Sequence, residues 1–217
     1  MDWNFWRPNK ILETRTSKFN GKITVRKSWG LGTYLEVGGL TQSGWILEKI
    51  WSQTLRHLHN SKFSARGGSA LGGIIHNSLI LGLGGGSVIK PLKKYWPKAK
   101  ITGVDIDPVM VKLGQKYLNL DKSVQIVISD AFSYMRHATG YDLVIVDLYH
   151  GKDFPQKFES DKFLKKLSKN KLVIINRAWN KRDNGLLIVD FREKLQKYFR
   201  DVDLFYPVAN VMFVCSN

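Results

Sequence analysis

Cysteine is nearly absent from this sequence. Cys215 is the only one among 217 residues, which excludes a disulfide framework and a cysteine-rich zinc site. It falls in an apolar run and reads as a buried strand residue. Acid is also scarce: 18 Asp and Glu stand against 34 Lys and Arg, a formal charge of +16. Such an excess concentrates anionic partners and favours phosphate contacts. The lysine pairs Lys93-Lys94 and Lys165-Lys166 lie near predicted helix ends rather than along one stripe, which weakens a nucleic-acid reading. No apolar run reaches the roughly 18 residues needed for a membrane span. The opening MDWNFWRPNK lacks the apolar centre of a signal peptide. The expected setting is the cytoplasm, away from the membrane. An apolar content of 43% suffices to bury the core of one ordinary domain.

The dinucleotide fingerprint G-x-G-x-x-G is missing too. Gly82-x-Gly84 is followed by Ser87, and Gly84-x-Gly86 by Ile89, so a nicotinamide or flavin cofactor is demoted. What is present is a related layout. Ser78–Leu81 reads as a buried strand, Gly82–Ser87 as a sharp turn and Val88–Tyr95 as a helix. Ile101–Val104 reads as a second strand, ending on Asp105. Glycines at such a turn let the backbone approach a ligand, and the acid can accept hydrogen bonds from ribose hydroxyls. Two more strand-like runs end on acids: Val124–Ile128 before Asp130-Ala131, and Leu143–Val146 before Asp147. In a doubly wound sheet these strand ends share one crevice. Each Asp taken singly is also what a turn or a helix N-cap would use.

Five stretches, GGLTQSG, LILGLGGGSV, VDIDPVMVKLGQKYLNL, SDAFSYM and YDLVIVDLYHGKDFPQKF, resemble the spermidine-synthase-like branch of the class I S-adenosylmethionine-dependent methyltransferases. The resemblance implies an α/β fold. A Rossmann-like doubly wound seven-stranded sheet would follow a small N-terminal antiparallel β appendage. It divides the chain into an appendage with a linking helix, residues 1–60, and a cofactor-binding domain, residues 61–217. It implies that Gly82, Gly84, Gly85 and Gly86 line the methionine part of the cofactor. Asp105 and Ile106 would hold the ribose, and Asp130-Ala131 would meet the adenine. Gln42 matches the glutamine that the family places over the cofactor, and Asp147 would lie near the sulfonium.

Two reactions remain open. Aminopropyl transfer uses decarboxylated S-adenosylmethionine and a diamine, both cationic. The family then carries an acid in the glycine loop, where this chain has Gly85. After Gln42 it carries Asp-Glu and Tyr-His, matched here by Leu47-Glu48 and Trp51-Ser52. After the fourth core strand it carries a second acid, matched by His150. Losing carboxylates disfavours a dication, because an unpaired cation in a desolvated site costs several kcal/mol. The expectation is therefore ordinary S-adenosylmethionine and methyl transfer to an unknown acceptor. Gly85 would offer an N–H to the cofactor carboxylate, and the candidate base and its neighbours would be Asp147, Tyr149 and His150. Asn-Pro-Pro-Tyr, the loop of many base methylators, is absent. A non-catalytic protein that binds nucleic acid or an acidic partner is the third alternative.

The appendage carries strand-like runs at Ile11–Thr16, Lys22–Lys27 and Thr33–Val37. Ile46–Leu58 follows with helical spacing, and the Gly- and Ser-rich stretch 61–77 reads as a long loop. Trp3, Phe5 and Trp6 are too near the terminus for a deep core. With the family resemblance, they and the uncovered edge strand suggest a homodimer built through residues 1–42; the alternative is a monomer whose arm packs on the helix at Ile46–Leu58.

Overall fold

The structure is a computed structural model that describes residues 10–60, 75–151, 153–178 and 185–217. Trp3, Phe5, Trp6, Lys181-Arg182 and most of the stretch 61–77 lie outside the described residues.

The chain opens with a four-stranded antiparallel sheet in sequential order: β1 (Lys10–Ser17), β2 (Gly21–Ser28), β3 (Gly32–Val37) and β4 (Leu40–Gly44). Three of these strands follow the sequence reading. The fourth is additional, because LTQSG is too short and polar to show a strand period. Its hairpin is made by Gly38 and Gly39, at φ 56° and 80°, the left-handed pair that a tight two-residue turn requires. Ile23, Val25, Leu35 and Val37 form the buried face of this sheet, packed on Met110 and Leu113.

Helix α1 (Trp45–Asn60) buries Ile50, Trp51, Leu55 and Leu58 at the spacing of one helical face. Grouped with the appendage on the sequence, it packs into the core of the larger sheet beside Ile80, Leu92 and Ile145.

That sheet contains β5 (Asn77–Leu81), β6 (Lys100–Asp105), β7 (Gln125–Ile128), β8 (Leu143–Val146), β9 (Leu172–Ala178), β10 (Asp201–Phe205) and β11 (Asn210–Ser216). The spatial order is β10-β11-β9-β8-β5-β6-β7. Strands β5 to β9 are parallel, and β11 runs antiparallel to both β9 and β10. This is the expected Rossmann-like doubly wound seven-stranded sheet. Helices α2 (Ile89–Tyr95) and α1 cover one face. Helices α4 (Ala131–Tyr134), α5 (Asp161–Leu167) and α6 (Gly185–Leu195) cover the other. Helix α3 (Pro108–Tyr117) sits beneath the N-terminal sheet. Buried on both faces, the parallel strands read as continuous apolar runs. Order reverses between β5 and β8, where the crevice of such a sheet opens.

Candidate active site at the switch point

Above the carboxyl ends of β5, β6, β7, β8 and β9 lies a cavity of about 690 Å³, a size that suits a nucleoside-sized ligand. Its floor comes from the large sheet and its roof from β4 and α1. Gln42, Gly82, Gly84, Asp105, Ile106, Asp130, Ala131, Asp147, Tyr149 and His150 all line it. Gly85 and Gly86 do not.

The glycine loop differs from expectation in what it offers. The N–H groups of Gly82 and Leu83 both donate to the Val104 carbonyl, and that of Gly86 donates to Leu83. Gly84 donates to Asp105 Oδ2 at 2.7 Å and Gly85 to Ser43 Oγ at 2.7 Å. Every N–H from Gly82 to Gly86 is thus already bonded within the chain. The expectation that Gly85 presents an N–H to a cofactor carboxylate is corrected on that ground. Gly85 instead faces α3: a Cβ on Gly114 would lie 2.6 Å from Gly85 Cα. Gly82, at φ 89°, lets the loop pass Asp147, whose carbonyl oxygen would lie 2.1 Å from a Cβ there.

Asp105 holds the loop. Its Oδ2 takes the Gly84 N–H and its Oδ1 takes the Asp107 N–H at 2.8 Å. Burial pushes its carboxyl above the usual range despite these donors. Asp107, fully buried, is the N-cap of α3, accepting from Val109 and Met110, and it also accepts from the Asn20 amide at 2.7 Å. Asp130 serves twice. It caps α4 through Ser133 and pairs with Lys157 at 2.6 Å. Burial would raise its carboxyl, but Lys157 and the Ser133 N–H outweigh burial and hold it below the usual range.

At the other end of the cavity Asp147 accepts the Trp51 indole N–H at 3.1 Å and the Asn176 amide at 2.8 Å. Asn210 in turn donates to Asn176 Oδ1 at 2.8 Å, which fixes the amide with its NH2 towards Asp147. Burial pushes the Asp147 carboxyl up, and Asp105 adds to the rise. Among the described residues no cationic side chain forms an ion pair with either carboxylate. Tyr149 donates to the Asn176 carbonyl, and burial pushes its hydroxyl up. His150 is exposed at the rim, its backbone bridged to Asp153, and Gln42 donates to the Gly151 carbonyl at 3.2 Å. Glu48, the acid kept at a family position, pairs with Lys90 at 2.8 Å and does not line the cavity.

Asn176, Asn210 and Lys157 were not singled out from the sequence, and Trp51 stood there only as a departure from the family's pattern. Asn176 follows the apolar run Leu172–Ile175 at a strand end, the same signal that marks the three aspartates.

A spermine/spermidine synthase domain model matches residues 70–209, well over half of the chain. The chain belongs to that family. A probable polyamine aminopropyl transferase of Bifidobacterium longum is 32% identical over 95 residues, covering 43% of this chain and 21% of that protein. An eEF1A lysine and N-terminal methyltransferase homolog of Drosophila melanogaster is 33% identical over 99 residues, covering 40% and 15%. The chain therefore spans only 21% and 15% of the length of these two relatives. A crystal structure of a spermidine synthase in complex with the transition state analogue AdoDATO superposes with a TM-score of 0.76 at 17% identity, over 95% of this chain and 73% of that one. Members of the spermidine synthase family are transferases, and this chain shares their fold. The match covers β5 to β10 of the larger sheet; β11 and the roof residues Gln42, Ser43 and Trp51 lie outside it.

Proposed function

We propose that this chain transfers an aminopropyl group from decarboxylated S-adenosylmethionine to an amine, with Asp147 as the base. The observation that carries this reading is the pair of buried carboxylates, Asp105 and Asp147, facing the cavity without a cationic partner. A cationic donor supplies what they lack.

The donor's form follows from the same contacts. The methionine carboxylate of the ordinary cofactor would need a donor or a cation. The loop N–H groups are taken, and Lys157, the lysine that lines the cavity, is paired with Asp130. The decarboxylated form has no such need. This reverses the preference for methyl transfer drawn from the sequence, which rested on the family's lost carboxylates and on a Gly85 N–H for the cofactor carboxylate. The family and its polyamine aminopropyltransferase relatives support the same choice.

In this reading Asp105 accepts from the ribose with its remaining lone pairs, and Asp130 with Ala131 borders the adenine. The sulfonium is already activated, so the protein's contribution is alignment and proton removal. Asp147 takes the proton from the attacking amine. Trp51 and Asn176 hold the Asp147 oxygens in place, and Asn210 prevents the Asn176 amide from turning over.

Methyl transfer is the second reading, favoured by Gly85 where the family carries an acid and by the methyltransferase homolog matched over part of the chain. Calorimetry with S-adenosylmethionine, its decarboxylated form and S-adenosylhomocysteine separates the two. Tighter binding of the decarboxylated form is expected. A clear preference for S-adenosylmethionine overturns aminopropyl transfer and restores the methyl reading.

A further inference from the structure

Ser43 stands between the glycine loop and the cavity. It lies on β4, is buried and lines the cavity, whereas Gly85 behind it does not. Its Oγ accepts the Gly85 N–H at 2.7 Å and donates to the Gln42 carbonyl at 2.7 Å. A hydroxyl has one proton and two lone pairs. The proton and one pair are spent, so what Ser43 has left for a ligand is a lone pair. The neighbouring loop amides are held differently. Those of Gly82, Leu83 and Gly86 bond to backbone carbonyls, and that of Gly84 bonds to Asp105. Within Gly82–Gly86 only Gly85 gives its N–H to a side chain of the roof.

The space around Gly85 marks the same point. A Cβ there would lie 2.8 Å from Ser43 Cβ and 2.7 Å from Leu118 Cδ1. Leu118 could turn aside, but Ser43 Cβ moves only with the strand. The acid that the family carries in this loop therefore has no room here, and Ser43 holds the place. A Cβ on Gly84 would likewise lie 3.0 Å from Ser43 Oγ. The Gly44 N–H donates to Ser87 Oγ at 2.8 Å, a second tie that keeps β4 against the loop whatever side chain residue 43 carries.

Resting on the aminopropyl reading, which lays the donor's three-carbon arm along the glycine loop, we infer that Ser43 is the residue that turns a carboxylate-bearing donor away. The arm of the decarboxylated donor ends in an ammonium, from which the spare lone pair of Ser43 can accept. A carboxylate on the same arm meets that lone pair where it needs an N–H. Leaving such a group without a donor costs more than a neutral hydrogen bond returns. Take away the Oγ, and the Gly85 N–H opens to the cavity as a donor for the carboxylate. Selectivity for the donor's form thus rests on one hydroxyl that touches neither buried acid.

The test measures the affinities of S-adenosylmethionine and its decarboxylated form, which differ by the carboxylate alone, by calorimetry on the full chain. Ser43→Ala removes the hydroxyl. Ser43→Cys keeps its bulk and replaces a strong acceptor by a weak one, so it decides the matter if the alanine variant does not fold. In each folded variant the affinity ratio should move towards S-adenosylmethionine by about tenfold or more, the size of one hydrogen bond to a charged group. A merely structural role would weaken both donors alike and leave the ratio where it was. An unmoved ratio, loss of both donors together or two unfolded variants overturns the inference. If the parent chain still prefers the decarboxylated form, the aminopropyl reading survives that failure. A parent chain that prefers S-adenosylmethionine overturns the aminopropyl reading instead. A ratio that then rises further in the variants leaves the role of Ser43 standing, and an unmoved one removes it as well.

Discussion

At Asp147 burial and the Asp105 carboxylate oppose ionisation, while the Asn176 amide and the Trp51 indole favour it, and the balance leaves the carboxyl above its ordinary value of 3.8. The folded chain thus holds this proton more tightly than the unfolded chain does. The stability linked to it is fully present below the ordinary value and is lost as pH rises through the folded one. Asp147→Asn removes that loss. Its melting temperature relative to the parent should climb as pH rises above the ordinary carboxyl value, and its transfer rate should fall about 10²-fold or more, as for removal of a general base. A difference in melting temperature that stays flat with pH would show that Asp147 is not strained by its charge. Asp105→Ala tests a different carboxylate. It should weaken donor binding by about 1.5–3 kcal/mol. It should also lower stability to urea, since the N–H groups of Gly84 and Asp107 lose their acceptor. Unchanged affinity by calorimetry would take the ribose role from Asp105. The acids themselves were legible because each follows an apolar strand run. Their hydrogen-bond partners were not, because Trp51 and Asn176 come from elements about 100 and 30 residues away in the chain, distances that local pattern does not span.

Among the elements, the glycine loop and α3 form the tightest junction. Replacing Gly114 by Ala would raise helix propensity by about 1 kcal/mol. The added Cβ would lie 2.6 Å from Gly85 Cα and 2.9 Å from its carbonyl oxygen, and backbone yields little. Overpacking of this kind costs about 1–3 kcal/mol. Gly114→Ala should therefore destabilise the chain in urea and weaken donor binding, since the loop must shift. A gain in stability would mean that α3 moves freely against the loop. The elements of the large sheet were readable from apolar runs and glycine turns. The strand β4 was not, since its pairing is fixed by the Gly38-Gly39 hairpin and by Ser43 and Gly44, which bond the loop at Gly85 and Ser87. Loop amides were expected to be free for the same reason: the sequence displays glycines but not the Ser43 hydroxyl that meets one of them.

For the whole molecule, β1 is an outer strand of its sheet, with Ile11 53% exposed. Such an edge is open to pairing with a second chain. Light scattering is expected to give twice the 24.9 kDa chain mass. A chain mass that holds at micromolar concentration, with and without residues 1–9, overturns a dimer through residues 1–42. The +16 charge is a property of the entire surface, and it predicts retention on a polyanion that falls steeply with salt through counterion release; salt-independent retention would argue against it. The cavity itself is shared between two parts of the chain. Its floor lies within the family match at residues 70–209, whereas Gln42, Ser43, Ile46 and Trp51 in the roof lie before it. A change in β4 or α1 therefore reaches the ligand through Ser43 or Trp51 while the parallel strands beneath keep their register, so the ceiling can be recut without disturbing the ground it stands on.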